Sequence, residues 1–265
     1  MSGEIQRALE TLFPDGGVVE LRALTDYLVH SGYFDKLDML AEKAANLDTL
    51  PEVAGIYVTL NTVDPALLSR RANRVKMNLG RKDSTTSDAD VVRRRWLPID
   101  LDPVRPSGVS STDGEHTAAL AHAERIRTWL AGQGFPDPVM ADSGNGAHLL
   151  YRIDLPNDDD STDLVKGCLT VLDTLFSDGV VSVDAANFNA ARIWKLYGST
   201  SKKGDNTPAR PHRQSRILSV PEEVKLVTVE QLRHIAGFLP RADPGHGNRR
   251  RAPVLTSATG SPRTR

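Results

Sequence analysis

The sequence predicts an α+β fold, and three observations carry that expectation. Runs rich in β-branched and aromatic residues alternate with runs of helical spacing. Two of the strand candidates, Pro138–Ala141 and Ala147–Ile153, flank the glycine turn Ser143–Gly146, so neighbouring strands pair through a short hairpin. A doubly wound parallel sheet would put a helix at each such connection. Finally, residues 3–47 read as helical. Val18, Val19, Leu21, Leu24, Tyr27 and Leu28 fall near helical spacing, and Leu37, Leu40, Ala41 and Ala44 continue it after a break at Ser31-Gly32.

These readings divide the chain into an N-terminal helical segment over 1–48, a main domain over 49–240 and a basic tail over 241–265. Within the main domain, Gly55–Asn61 reads as a strand, Pro65–Ala72 as a short helix opened by proline, and 78–90 as a polar loop. Arg95–Asp102 reads as a strand, placed at an edge or a bulge by Pro98. Thr112 and Glu115 match a capping box for a helix over 118–130. A helix over 161–176, strands at Val180–Asp184, Trp194–Gly198 and Arg216–Val220, and a last helix from Thr228 to Leu239 complete the order. From Arg241 the chain is Gly, Pro, Arg, Ser and Thr with few apolar residues, a composition that reads as disordered.

The 265 residues are 39% hydrophobic and 25% charged, which suits a soluble globular protein with a sizeable core. The lone cysteine, Cys168, rules out an internal disulfide and reads as a core residue of a helix. With no apolar run of membrane-spanning length and no leader-like N-terminus, a cytoplasmic location without membrane attachment is expected. A net charge of −1 excludes a generally basic nucleic-acid coat protein, but not an enzyme with a locally basic site.

The chemistry begins at Asp100-Leu101-Asp102. On a strand, alternate residues share a face, so the two carboxylates point the same way, roughly 6–7 Å apart along the chain, while Ile99 and Leu101 point into a core. Paired carboxylates suit a hard cation such as Mg²⁺. Solvated acids at a strand end, or the metal-holding pair of a glycosyltransferase, fit the same three residues.

Three further segments bear on the choice. Ser143-Gly144-Asn145-Gly146-Ala147-His148 could expose backbone N–H groups to an anion beside a hydroxyl and an imidazole, or could be a plain hairpin turn. Asp184 ends an apolar strand as Asp102 does and reads as a third carboxylate, or as the cap of a segment starting at Ala185. From Arg192 to Arg216 there are seven Lys or Arg against one acid, Asp205, a stretch that could grip phosphates or be a solvated loop. Arg93, Arg94 and Arg95 read as a basic flank to a strand more readily than as a contact to nucleic-acid phosphates, and Arg249–Arg251 as a non-specific nucleic-acid contact at most. Trp96 and Tyr57 read as core, not as base-stacking platforms. His116, His122 and His212 lack partners at zinc-ligand spacing.

In this order the segments resemble the archaeo-eukaryotic primase superfamily, specifically the primase-polymerase domains of phages, plasmids and other mobile elements. Asp100-Leu101-Asp102 is similar to its first acidic element, and Ser143–His148 to its Ser-Gly-x-Gly-x-His element. Asp184, followed by Arg192, Lys195, Gly198 and Lys202, is similar to its third. The resemblance spans roughly residues 50–220. It implies a primase-like core, a mixed sheet with an RRM-like module, and a metal-dependent DNA primase or polymerase acting on a single-stranded DNA template.

By that resemblance Asp100, Asp102 and Asp184 would bind two divalent ions, Mg²⁺ or Mn²⁺. Ser143 and His148 would contact the triphosphate of an incoming NTP or dNTP, His148 carrying a proton when nucleotide is bound. Arg192 and Lys195 would neutralise its charge, with Lys202 in the same task. The chain departs from the family at Tyr197-Gly198-Ser199-Thr200, where Pro-Gly-Thr is common, leaving the role of Thr200 open. It has no Walker A motif, so any unwinding is expected from a separate helicase or from a longer parent chain. A replication-initiation module of a mobile element, binding DNA with little catalysis, is the alternative to an enzyme.

Overall fold

A computed structural model describes residues 2–238, with the side chain of Ser2 outside the description. The chain runs α1 (Ser2–Leu12), β1 (Val19–Leu24), β2 (Val29–Phe34), α2 (Leu37–Asp48) and β3 (Gly55–Thr59), then β4 (Arg93–Pro103), α3 (Asp113–Gly132), β5 (Val139–Asp142) and β6 (Ala147–Pro156). It continues with α4 (Asp159–Phe176), β7 (Val181–Val183), β8 (Ile193–Lys195), β9 (Thr200–Ser201), β10 (Arg213–Gln214), β11 (Arg216–Ser219) and α5 (Val229–Ala236). Single 3-10 turns occupy Pro65–Arg70 and Asp88–Asp90.

The named strands form a four-stranded sheet in the order β2-β1-β3-β8, a five-stranded sheet in the order β11-β5-β6-β4-β7, and a small β9-β10 pair. Every named pairing is antiparallel. The α+β class therefore stands. The expected tail at 241–265 lies outside the described residues, and no described helix is long and apolar enough to cross a membrane.

The helical reading of 3–47 is corrected in its middle. Residues 19–34 form a β-hairpin, and β1 lies between β2 and β3 in the first sheet. The period of two was present in Val19-Glu20-Leu21-Arg22-Ala23: Val19, Leu21 and Ala23 are buried in the core, while Glu20 and Arg22 share the other face. Valines and leucines at both spacings satisfy a helical template as well, and only cross-strand pairing separates the two. The supposed helix break at Gly32 is instead a close approach. A Cβ there would run into the Arg74 carbonyl, because 74–78 runs alongside β2 through Ser31 and Lys76.

Local chemistry sets the remaining ends. The Thr112/Glu115 capping box opens α3 as expected, Asp158 caps α4 through Ser161 N–H, and a Thr228/Gln231 box opens α5. Pro98 sits on β4 opposite Leu150, at a level where the third strand, β7, has not begun; β7 pairs only with 101–103. The missing proline N–H thus costs no ladder bond on that side, and a register shift between Arg94 and Trp96 marks the expected bulge.

Two apolar cores place the site. In the first, α1 and α2 pack against Leu21, Ile56 and Val58 of the four-stranded sheet and reach Trp96, Val139 and Leu150 of the other. In the second, α3, α4 and α5 cover Leu97, Ile99, Leu101, Leu149, Tyr151 and Ile153. Cys168 belongs to this core; burial pushes its thiol up to about 12, so it is inert at neutral pH. Since Trp96 faces the first core and Ile99 and Leu101 the second, alternation along β4 turns Asp100 and Asp102 toward the four-stranded sheet.

Candidate active site

A cleft of about 280 Å³ forms where that face of β4 meets the first sheet. Asp100, Asp102, Asp184, Ser143, His148, Arg192 and Lys195 all line it. Seven of the eight residues expected from the sequence therefore meet in one place, from four separate stretches of chain. The volume is at the small end for ligand sites, which usually run ~300–1,000 Å³; it would enclose part of a nucleotide and leave the rest at the rim.

Asp100 is the best-supported carboxylate. His148 stands directly across the β4–β6 ladder from it, with Nε2 3.2 Å from Asp100 Oδ1. Asn187 Nδ2 reaches Asp100 Oδ2 at 3.4 Å, and Asp184 N–H donates to the Asp100 carbonyl at 2.9 Å. Burial alone would raise the Asp100 carboxyl, but the charge and hydrogen bond of His148, then Lys203 and Asn187, hold it below its ordinary value. Asp102 is more exposed and accepts from both terminal nitrogens of Arg105, at 3.2 and 3.3 Å. Asp184 accepts from Ala186 N–H at 2.8 Å. It closes a turn as the capping alternative anticipated, although no helix follows, and still lines the cleft.

The His148 ring is fixed on every side. Its Nδ1 lies 3.0 Å from Tyr197 Oη, which also accepts from Trp194 Nε1–H at 2.8 Å. The Tyr197 hydroxyl is buried, and desolvation raises it far above its usual range, so it stays protonated. The Tyr197 hydroxyl thus holds the ring from the Nδ1 side while Nε2 faces Asp100. The indole of Trp194 packs on the imidazole with ring centres 4.1 Å apart. Both nitrogens of His148 are thus engaged, and its direct partner is Asp100 where an incoming triphosphate was expected.

Ser143 and the glycines also differ from expectation. Gly144 N–H donates to Asp142 Oδ1 and Gly146 N–H to Ser143 Oγ, so the two glycine amides close the turn internally and do not present themselves to an anion. The hairpin alternative describes this turn better. What its glycine provides is proximity: a Cβ on Gly146 would collide with the Leu101 carbonyl, so the turn lies directly on β4 beside Asp102.

Of the seven cations between Arg192 and Arg216, three line the cleft: Arg192, Lys195 and Lys203. Lys202 is a correction. Its ammonium is held by the carbonyls of Asp48 and Leu50 at the end of α2, at 2.7 and 3.1 Å. The cause is the period of two along extended chain. Ser201 and Lys203 face the cleft, while Thr200 and Lys202 face α2, where Thr200 bonds Asp48 through both its N–H and its hydroxyl. Arg210, Arg213 and Arg216 pair with Glu115, Asp113 and Asp142.

Lys195 is almost wholly buried, donates to the Thr200 carbonyl at 2.7 Å and lies 5.5 Å from the Tyr57 ring centre. Desolvation, partly opposed by Asp48 and aided by Lys202 and Lys203, brings its amine down to about 7. The Nε–H of Arg192 is buried with no partner among the described residues, and its Nη2 donates to the Ala186 carbonyl. Tyr57, read as core, is only half-buried and lines the cleft; burial and then the charges of Asp100 and Asp102 raise its hydroxyl. Asn145, Asn187, Trp194 and Lys203 line it too and were not anticipated. Their only sequence signal was a place within three residues of one that was.

For a divalent ion, the donor chemistry fits: three carboxylates in one cleft are the hard oxygen ligands that Mg²⁺ or Mn²⁺ takes. Among the described residues, no three His, Cys, Asp or Glu side chains converge closely enough to enclose an ion by themselves. The set therefore suits ions that keep several waters or share substrate oxygens, as Mg²⁺ commonly does. Arg93 and Arg95 pair with Asp154, and Arg94 bonds the Phe188 carbonyl and Thr162, so this basic run braces a strand as expected. Comparison with protein-family models, with curated proteins and with solved structures found no match.

Proposed function

We propose that the protein is a metal-dependent nucleotidyltransferase, a DNA primase or polymerase of archaeo-eukaryotic type that adds nucleotides on a single-stranded DNA template. One observation carries the reading. Asp100, Asp102 and Asp184 share a cleft with Arg192, Lys195 and Lys203, although the sequence separates them by up to a hundred residues. Among the described residues these carboxylates form no ion pair with Arg192, Lys195 or Lys203, and such a cleft suits a substrate that brings both phosphates and cations. A glycosyltransferase reading explains the carboxylates but not the basic wall.

Asp100, Asp102 and Asp184 would hold Mg²⁺ or Mn²⁺. The bound ions would supply activation of the attacking 3′-hydroxyl and charge stabilisation of the departing pyrophosphate. The chain's own parts divide the remaining work. His148, held by Tyr197 and Trp194, keeps Asp100 ionised and correctly turned. Arg192, Lys195 and Lys203 offer their positive charge to an NTP or dNTP triphosphate. Ser143 lies at the turn beside Asp102 and within reach of the same phosphates. Nothing in this arrangement needs a membrane.

The test is primer extension and dinucleotide synthesis on a single-stranded template with Mn²⁺ or Mg²⁺. Asp100→Ala combined with Asp102→Ala should lower the rate on the order of 10³-fold or more, the several kcal/mol that metal-held charge contributes. No product from the parent chain, or an unchanged rate in the double variant, would defeat the reading.

A further inference from the structure

We propose that Tyr27, at the tip of the β1–β2 hairpin, is a stacking platform for a base of the single strand entering the cleft; this rests on the polymerase reading above. Tyr27 is 93% exposed, the most exposed large hydrophobic side chain among the described residues. It is not on a loose loop. Thr25 N–H and Thr25 Oγ1 both donate to the Leu28 carbonyl at 3.0 Å, and Thr25 Oγ1 accepts from Tyr27 and Leu28 N–H at 3.3 and 2.9 Å. A rigid turn thus holds a large flat ring out into water with nothing on it.

The tip adjoins the cleft. Leu24, which begins the turn, lines it, so Tyr27 lies within about 10 Å of chain from the cleft wall. The Leu24 carbonyl accepts from Ala54 N–H, and the Ala54 carbonyl from Lys202 N–H, so the rim runs by main-chain bonds from the hairpin to the Lys203 strand. On the other side, 76–79 follows β2: Asn78 N–H donates to His30 Nδ1 and Leu79 N–H to the Val29 carbonyl. That course carries exposed Met77, then Arg81 and Lys82, toward the tip. Asp83 of the same loop is already paired with Lys76.

The rim therefore presents an aromatic face and two apolar side chains, Leu28 and Met77, between Lys203 at one end and Arg81 and Lys82 at the other. Asp26 is the one acid at the tip. Aromatic rings spaced among cations are how proteins hold single strands without reading sequence: bases stack and phosphates pair. A flat ring that is almost wholly exposed suits a base better than the knob of a protein partner, which would need a socket.

Binding of a labelled 12-nucleotide single strand by the whole chain, followed by fluorescence anisotropy, tests this. Tyr27→Ala should weaken it about tenfold or more, the effect typical of losing one stacked base, and Tyr27→Trp should retain it. Emission of the Tyr27→Trp variant should be quenched on adding strand. Arg81→Ala with Lys82→Ala should reduce the salt slope by about 1.4, two phosphates' worth on a single strand. Calorimetric binding of a triphosphate alone should not change in Tyr27→Ala, nor should the melting temperature. Strand affinity within twofold of the parent in Tyr27→Ala, with primer extension intact, overturns the inference and leaves the polymerase reading standing. Failure of the parent chain to bind any single strand overturns both.

Discussion

Lys195 and His148 both present nitrogen to the cleft, and their surroundings assign them different work. His148 spends Nδ1 on Tyr197 and Nε2 on Asp100, so it orients a carboxylate. Lys195 has a single hydrogen bond, to a carbonyl, and an amine that burial has lowered to about 7. A lowered lysine is cationic below that pH and neutral above it. Its attraction for an anion is thus present at about pH 6 and lost as pH rises through 7, with the loss displaced upward by the bound anion itself. Pyrophosphate affinity measured by calorimetry should therefore decline between about pH 6 and pH 8 more steeply in the parent than in Lys195→Arg, whose guanidinium stays charged throughout. Parallel profiles would show that Lys195 does not meet the phosphate.

Among elements, the β5–β6 hairpin governs the site's geometry because its turn is pressed onto β4. Adding a Cβ at Gly146 forces either the Leu101 carbonyl or the turn to move. Gly146→Ala should cost about 1–3 kcal/mol, as overpacking usually does, and lower the melting temperature. Gly114→Ala, within α3 and with nothing within 4 Å of the new methyl, should raise it, since alanine is favoured over glycine in a helix by about 0.5–1 kcal/mol. Equal effects at both positions would refute the close-approach account. Elements also mark where the sequence was legible. The capping box of α3 and the bulge near Pro98 are local chemistry, visible in three or four residues. The β1–β2 hairpin was not, because Val19, Leu21 and Leu24 satisfy two periods at once and the choice was made by pairing with β3. Lys202 and Lys203 were misassigned for a related reason: which of two adjacent lysines faces a cleft depends on strand phase, not on residue type.

At the scale of the whole molecule, Trp96 joins the two sheets. Its ring lies in the first core, its Nε1–H donates to the Leu12 carbonyl of α1 at 3.1 Å, and the Arg152 guanidinium lies 5.2 Å from its ring centre. Since the five-stranded sheet gives one face to each core, neither core can open without exposing β4. Calorimetry should show one cooperative transition, and Trp96→Ala should lower all of it by about 3–5 kcal/mol, the range for removing a buried tryptophan. Separate melting of the two sheets, seen as non-coincident far- and near-ultraviolet circular dichroism, would count against this coupling. By itself the sequence determined the α+β class, the strand carrying Asp100 and Asp102 on one face, and seven residues of the cleft, because alternation, caps and carboxylate spacing are properties of neighbouring residues. The tertiary structure alone decided that His148 turns to Asp100, that Lys203 takes the place expected of Lys202, that Tyr57 lines the cleft, and that Tyr27 stands at its rim. Each of these depends on which strands pair and in what register, a matter of contacts between segments tens of residues apart.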